Sequence, residues 1–172
     1  MGFLEMGSGR SEDGSLAFEE IGNAEDLREA ARLFAANVDA SYIALGDIES
    51  GRIDADLRWK ADLEAEFEAE YREGRECVDY LAIRGEDGKI MGLMIVGVDT
   101  RNKYAVLYDI IIDRDHRGGK AGSTAYGWLE TRLKGMGVKR VLLESGINNE
   151  KAHAFFGRLG FGKLAIEFMK EI

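Results

Sequence analysis

The sequence predicts an α/β fold, and three observations carry that prediction. Apolar segments of strand character alternate with segments of helical spacing in the order strand, two helices, three strands, helix, strand, helix, strand. Residues 104–113 (Y-A-V-L-Y-D-I-I-I-D) form one near-continuous apolar run, as a strand covered on both faces would. Two further apolar runs flank Gly85-Glu86-Asp87-Gly88, the mark of a hairpin.

The elements follow in order. Residues 1–15 are rich in Gly and Ser and lack periodicity, so they are expected to be a flexible leader before a single domain over residues 16–172. Residues 16–21 read as the first strand. Asn23 caps a helix whose apolar positions Leu27, Ala30, Ala31, Phe34 and Val38 keep helical spacing. After a loop around residues 46–51, residues 54–73 read as a second helix, with Trp59, Leu63, Phe67 and Tyr71 in one row as core residues. The hairpin strands are residues 78–84 and 89–98. Residues 104–113 make the fourth strand, and Ala121, Ala125, Trp128, Leu129, Leu133 and Met136 mark the helix after it. A strand over 138–145, a helix from Asn149 and a last strand over 161–171 complete the chain.

Composition narrows the function. The 172 residues suffice for one core, and 45% hydrophobic with 32% charged residues is ordinary for a soluble globular protein. No apolar stretch has the length of a membrane span. A net charge of −9 disfavours nucleic acid as a partner. The lone Cys77, read as a small core residue at a strand start, cannot form an internal disulfide, so a reducing cytoplasm is the expected compartment. His116 and His153 lack metal-ligand spacing, and no metal is expected. Proline is absent, so the turns fall to Gly, Asn and Asp, and the chain has 22 glycines.

The segment I-D-R-D-H-R-G-G-K-A-G-S, residues 112–123, concentrates the chemistry. A strand ends there, and Gly118, Gly119 and Gly122 remove side chains where a helix begins. Unpaired N–H groups and the positive end of the helix dipole favour an anion, and missing Cβ atoms let it approach. Arg117 and Lys120 add positive charge, so a diphosphate suits the loop. A Walker loop is excluded, because Arg114 stands five positions before Gly119 and Ala121 follows Lys120. A dinucleotide fingerprint is excluded too, since no glycines stand at offsets 0, 2 and 5.

Arg117-Gly118-Gly119-Lys120-Ala121-Gly122 instead resembles the R/Q-x-x-G-x-G/A signature of the GCN5-related N-acetyltransferases (GNAT), with Lys120 in the place of a glycine. A register one residue back, from His116, restores that glycine. The Arg117 register aligns Ile112 with the strand-end valine of the family. Asn149-x-x-Ala152-x-x-Phe155-Phe156-x-x-x-Gly160-Phe161 is similar to a second family element, N-x-x-A-x-x-F-Y-x-x-x-G-F, at the expected distance. The resemblance covers about the last hundred residues closely and the first half by layout.

The resemblance implies a mixed, mostly antiparallel central sheet flanked by helices on both faces, and acetyl transfer from acetyl-CoA to a primary amine. It implies that Ile110, Ile111 and Ile112 lie along the pantetheine arm while also packing in the core. Residues Arg117, Gly118, Gly119, Lys120, Ala121, Gly122 and Ser123 would hold the pyrophosphate, and Asn149, Ala152, Phe155 and Phe156 the inner end of the arm. Glu144, five residues before Asn149, stands where ribosomal-protein acetyltransferases of the family carry a catalytic glutamate. Asp109, an acid inside an apolar strand, is the rival base. The family's general acid is the tyrosine of F-Y, but this chain has Phe156. Tyr108 or Tyr126 substitutes, water protonates the sulfur, or the chain is a coenzyme-A-binding regulatory module without efficient chemistry.

The acceptor amine is left open. The acidic run Asp54, Asp56, Asp62, Glu64, Glu66, Glu68, Glu70 and Glu73 would favour a cationic acceptor, but such a run is more often a solvated face. A homodimer whose partner completes the acceptor pocket is a further alternative.

Overall fold

The computed structural model describes residues 6–74 and 77–170. One six-stranded sheet runs in sequential order: β1 (Gly9–Arg10), β2 (Ala17–Glu20), β3 (Val78–Arg84), β4 (Ile90–Asp99), β5 (Tyr104–Ile112) and β6 (Arg140–Leu143). Every neighbouring pair is antiparallel except β5 and β6, which run parallel. A parallel pair needs a crossover, and helix α4 (Ala121–Gly135) supplies it. Helices α1 (Ala24–Asn37), α2 (Leu45–Glu49) and α3 (Leu63–Glu73) precede β3, and α5 (Glu150–Arg158) follows β6. The mixed, mostly antiparallel sheet is the expected one.

Helices cover both faces. Leu27, Phe34 and Phe67 of α1 and α3 pack with Leu93, Ile95 and Ile111 on one side. Trp128, Leu129 and Leu133 of α4 pack with Phe18, Met94, Leu107 and Ile112 on the other. Because β4 is buried along almost its whole length, it reads as a continuous apolar run rather than an alternating one.

A β-bulge in the middle of β5 decides what its side chains do. Ile95 pairs with Asp109 and Val96 with Leu107, so Tyr108 is the extra residue. Alternation therefore slips by one position: Leu107 and Ile110, three apart, both pack on the α4 side, while Asp109 meets groups on the other.

Five expectations need correction. The stretch read as a loop around residues 46–51 holds helix α2, whose start Asp47 closes by accepting the Ala44 N–H. The helix read from residue 54 begins at Leu63, because residues 53–59 fold back on themselves instead. The Asp54 carboxylate accepts the N–H groups of Asp56 and Arg58, Asp54 N–H bonds Arg58 C=O, and Ile53 bridges Trp59. Such local side-chain bonds compete with helix formation. Trp59 still reaches the core, edge-on to Phe34 at 6.0 Å. The expected last strand is also missing, since residues 161–170 form no strand and Glu171 lies outside the described residues. The leader segment differs over residues 6–15: Met6 is fully buried, its C=O accepts the Arg132 guanidinium, and Gly9–Arg10 pair with β2. Residues 1–5 lie outside the described residues. Cys77, finally, is half-buried in the left-handed region (φ 65°) rather than a strand residue. No helix among the described residues is long and apolar enough to cross a membrane.

Candidate active site

The parallel ladder between β5 and β6 stops at Leu107 and Leu143, whereas β5 continues to Ile112. The two strands part there, and residues 108–112 face a gap on the β6 side. A cleft of about 370 Å³ opens at the parting, lined by Tyr108, Asp109, Leu143, Glu144, Asn149 and Phe156 among others. Twist makes neighbouring strands diverge, and with no side-by-side partner beyond Leu143 nothing closes the gap.

Glu144 is the first residue past β6, and its carboxylate accepts the N–H of Gly46 on α2 at 3.0 Å. The chain behind it passes so close to the residue 41–43 loop that only glycine fits. A Cβ on Gly146 would lie 2.7 Å from Ile43 C=O and against Ser41 C=O as well. Gly146→Ala is therefore expected to destabilise the fold by about 1–3 kcal/mol and to displace Glu144. A thermal melt read beside acetyl-CoA-dependent activity checks it: an unchanged melting temperature would contradict the close approach.

Beneath this point lies a buried ionic cluster. The Arg52 side chain, 7% exposed, donates from Nη1 to Asp47 at 3.2 Å and Asp109 at 3.1 Å, and from Nε to Glu70 at 2.9 Å. Its guanidinium also rests 4.7 Å over the Phe34 ring. Burial pushes the Asp109 carboxyl up to about 6, against the opposing pull of Arg52, and pushes Asp47 upward as well. Three carboxylates hold Arg52 above its ordinary range despite burial. The sequence reading missed Arg52 and Asp47 entirely. A weak signal existed: Arg52 is the one cation between the first acidic residues of that loop and Arg58. Glu70 is the member of the acidic run that turns inward, while Glu66 pairs with Lys60 and Glu68 with Arg72 at greater exposure.

The glycine loop sits at the far end of β5. The N–H groups of residues 118–123 donate to no acceptor among the described residues, and α4 begins without a side-chain cap. Gly118 takes φ +85°, and a Cβ at Gly118 or Gly119 would meet only open space. Lys120 adopts an ordinary right-handed conformation (φ −91°, ψ −6°), so it needs none of the freedom of the glycine it replaces. Gly122 is different: a Cβ there would press on the Phe155 ring at 3.3 Å, so this glycine lets α5 approach α4.

Some expected roles shift with the geometry. Arg117 does not extend toward an anion: its guanidinium donates to Ile112 C=O at 2.7 Å and to both oxygens of buried Asn37, bracing the corner from inside. Asn149 caps α5 by accepting the Ala152 N–H at 3.1 Å and also lines the cleft. Phe155 packs on Gly122 and Phe156, whereas Phe156 reaches the cleft. Tyr126 is buried against Phe161 in the α4 core, away from the cleft lining, while Tyr108 is half-exposed within it. Ile111 and Ile112 are core residues, and Ile110 packs on the same core as Ile112.

The family model for acetyltransferases of the GNAT family matches residues 48–161, which include the cleft and the glycine loop. The chain belongs to the GNAT acetyltransferase family. Membership carries the use of acetyl-CoA as acyl donor and the transferase class. Solved structures share the GNAT fold at low identity. A tetramutant of a Bacillus halodurans protein is 19% identical with a TM-score of 0.65, over 90% of this chain and 99% of that one. A ribosomal-protein-alanine N-acetyltransferase from Brucella melitensis biovar Abortus 2308 is 15% identical with a TM-score of 0.63, over 91% and 98%. An aminoglycoside acetyltransferase from an uncultured soil metagenomic sample, in complex with sisomicin, is 16% identical with a TM-score of 0.60, over 93% and 98%. Comparison with proteins of curated function gives no match.

The GNAT residues present fit acetyl-CoA. Unpaired N–H groups at the start of α4 suit a diphosphate, and the free edge of β5 can bond an extended amide-bearing arm as an added strand would. In the cleft between them, Ser145 Oγ is buried without a hydrogen-bond partner.

Proposed function

We propose that this GNAT enzyme acetylates a primary amine at the parting of β5 and β6, with Glu144 as the base and Tyr108 as the acid. The observation that carries the reading is the parting itself, which sets Glu144 and Tyr108 on one cleft between a free strand edge and a bare helix start. An alkylammonium loses its proton with a pKa of about 10, so a carboxylate beside the acceptor nitrogen must take it. The freed nitrogen attacks the thioester carbon, the N–C bond forms, the C–S bond breaks, and the thiolate takes a proton from the Tyr108 hydroxyl. With a thiol pKa near 8.5, departure at pH 7 lacks only about 1.5 units, roughly 2 kcal/mol, so this acid assists a step that is nearly accessible without it.

Asp109 is better explained as an anchor. Its carboxylate is engaged by Arg52, and that bond ties β5 to the loop after α2. The acids Asp47, Glu49, Asp109 and Glu144 line the cleft with Arg52 as the opposing cation, which supports a cationic acceptor. The diphosphate falls to the N–H groups of residues 118–123 and the Lys120 ammonium, with Arg117 shaping the loop from within.

Phe156 on the cleft wall, where the family carries tyrosine, favours one second reading: a module that binds acetyl-CoA and has lost turnover. Thiol release from acetyl-CoA, measured across diamines, polyamines, aminoglycosides and N-terminal peptides, tests the choice. Turnover on a cationic amine is expected. Tight binding of acetyl-CoA with no thiol release on any amine would leave the module.

A further inference from the structure

Among the described residues, one buried side-chain polar atom lacks a hydrogen-bond partner, and it is Ser145 Oγ. A hydroxyl shut off from water gives up its solvent bonds, and this one gains none from the fold in return. An alanine in its place would avoid that cost. The residue borders the parting of β5 and β6, where it lines the cleft with Leu143, Asn149 and Phe156.

The side of the cleft narrows what the hydroxyl can meet. Val141 and Leu143 pack on the α4 core, and Glu144 turns the other way to accept from Gly46 on α2. The same alternation carries Ser145 back to the α4 side, where Phe156 also packs. Leu143 and Phe156 are apolar, so neither side chain can offer a hydrogen bond to a group that enters between them.

We propose that Ser145 Oγ–H donates a hydrogen bond to the sulfur of coenzyme A and is a catalytic residue of the thiol-release step. This rests on the acetyl-CoA site proposed above along the free edge of β5. With the diphosphate at the start of α4, an arm along residues 108–112 runs back to the parting and brings its sulfur to the first residues past β6. Those are Glu144 on the α2 side, beside the incoming amine, and Ser145 on the α4 side. As the C–S bond breaks, its electron pair passes to sulfur and negative charge grows there. The serine proton stays on its own oxygen, and the proton that ends on sulfur comes from Tyr108. Because the hydroxyl is already desolvated, it gives up no water bond when that charge appears, so the bond favours the thiolate over the thioester.

Titration of the thiol of bound coenzyme A, followed by the ultraviolet absorbance of the thiolate, tests this on the full chain without any acceptor amine. A hydrogen bond to the thiolate favours the charged form, so Ser145→Ala should raise the pKa of the bound thiol by about one pH unit, a ten-fold loss in the preference for thiolate. Glu144, Asp109 and Tyr108 on the sheet side and Asp47, Glu49 and Arg52 from α2 and the loop after it face the same cleft. They are the same in both proteins, so the difference reports the hydroxyl. Affinity for desulfo-coenzyme A, which has no sulfur, should change by less than about two-fold. The unliganded variant should melt no lower than the wild type, since the hydroxyl has no partner to lose. An unchanged thiol pKa overturns the proposal. Equal weakening of coenzyme A and desulfo-coenzyme A overturns it as well, because the hydroxyl then serves the amides of the arm, and a lowered melting temperature would assign it to the fold instead. Absence of turnover on every amine would sink the acetyl-transfer reading and leave this titration unaffected.

Discussion

Arg52→Met is expected to lower stability by about 3–5 kcal/mol at pH 8, the largest effect of any single substitution foreseen for this chain. The methionine fills similar volume but leaves Asp47, Glu70 and Asp109 facing one another with side chains only 11–17% exposed. Acidification should relieve the loss. Asp109 titrates near 6 in the folded chain against an ordinary 3.8, so between about pH 4 and 6 the folded state holds more protons than the unfolded one. Its contribution therefore falls as pH rises through that window, and Asp47 shifts in the same direction. Without the guanidinium both carboxyls rise further, so the deficit of the variant should shrink from pH 8 to pH 5. Urea denaturation at both values measures it; a deficit equal at the two would show that packing on Phe34, not charge, is what Arg52 supplies.

Glu144→Gln is expected to lower kcat by 10²–10⁴ with little change in KM for acetyl-CoA. The amide oxygen of glutamine can still accept the Gly46 N–H, so the loop and the cleft wall are kept while the proton acceptor is lost. The effect should appear in kcat because the carboxylate acts only as the ammonium gives up its proton. An unchanged kcat would remove Glu144 from the chemistry and return attention to Asp109. A raised KM with unchanged kcat would make Glu144 a binding group for the acceptor.

Much of the fold was legible because it is written locally. The continuous apolar run of β5 announces a strand buried on both faces, and Asn23 caps α1 through its own side chain, accepting from Glu25 and Asp26. The glycine loop and the Asn149 element were legible for the same reason, since each is a short stretch whose backbone needs dictate its residues. Where the sequence misled, the competing signal was also local. Trp59, Leu63, Phe67 and Tyr71 keep helical spacing, but the Asp54 carboxylate captures nearby N–H groups and Trp59 reaches Phe34 from outside the helix. Alternation in residues 162–168 suggests a strand, yet a strand exists only where an edge receives it, and its own edge does not.

The sequence by itself determined the order of elements from β3 to α5, the bare-backbone start of α4 and the placement of Glu144 just before the Asn149 cap, because neighbours in the chain specify these. Only the tertiary structure could decide the rest. Arg52 stands 18 residues from Glu70 and 57 from Asp109, and no periodicity links them. The bulge at Tyr108 turns Asp109 toward that guanidinium, Asn37 draws Arg117 inward from 80 residues away, and Gly46 finds Glu144 across 98. Such groups meet because sheet pairing and helix packing bring distant segments together, and burial then makes each uncompensated charge costly enough to be answered.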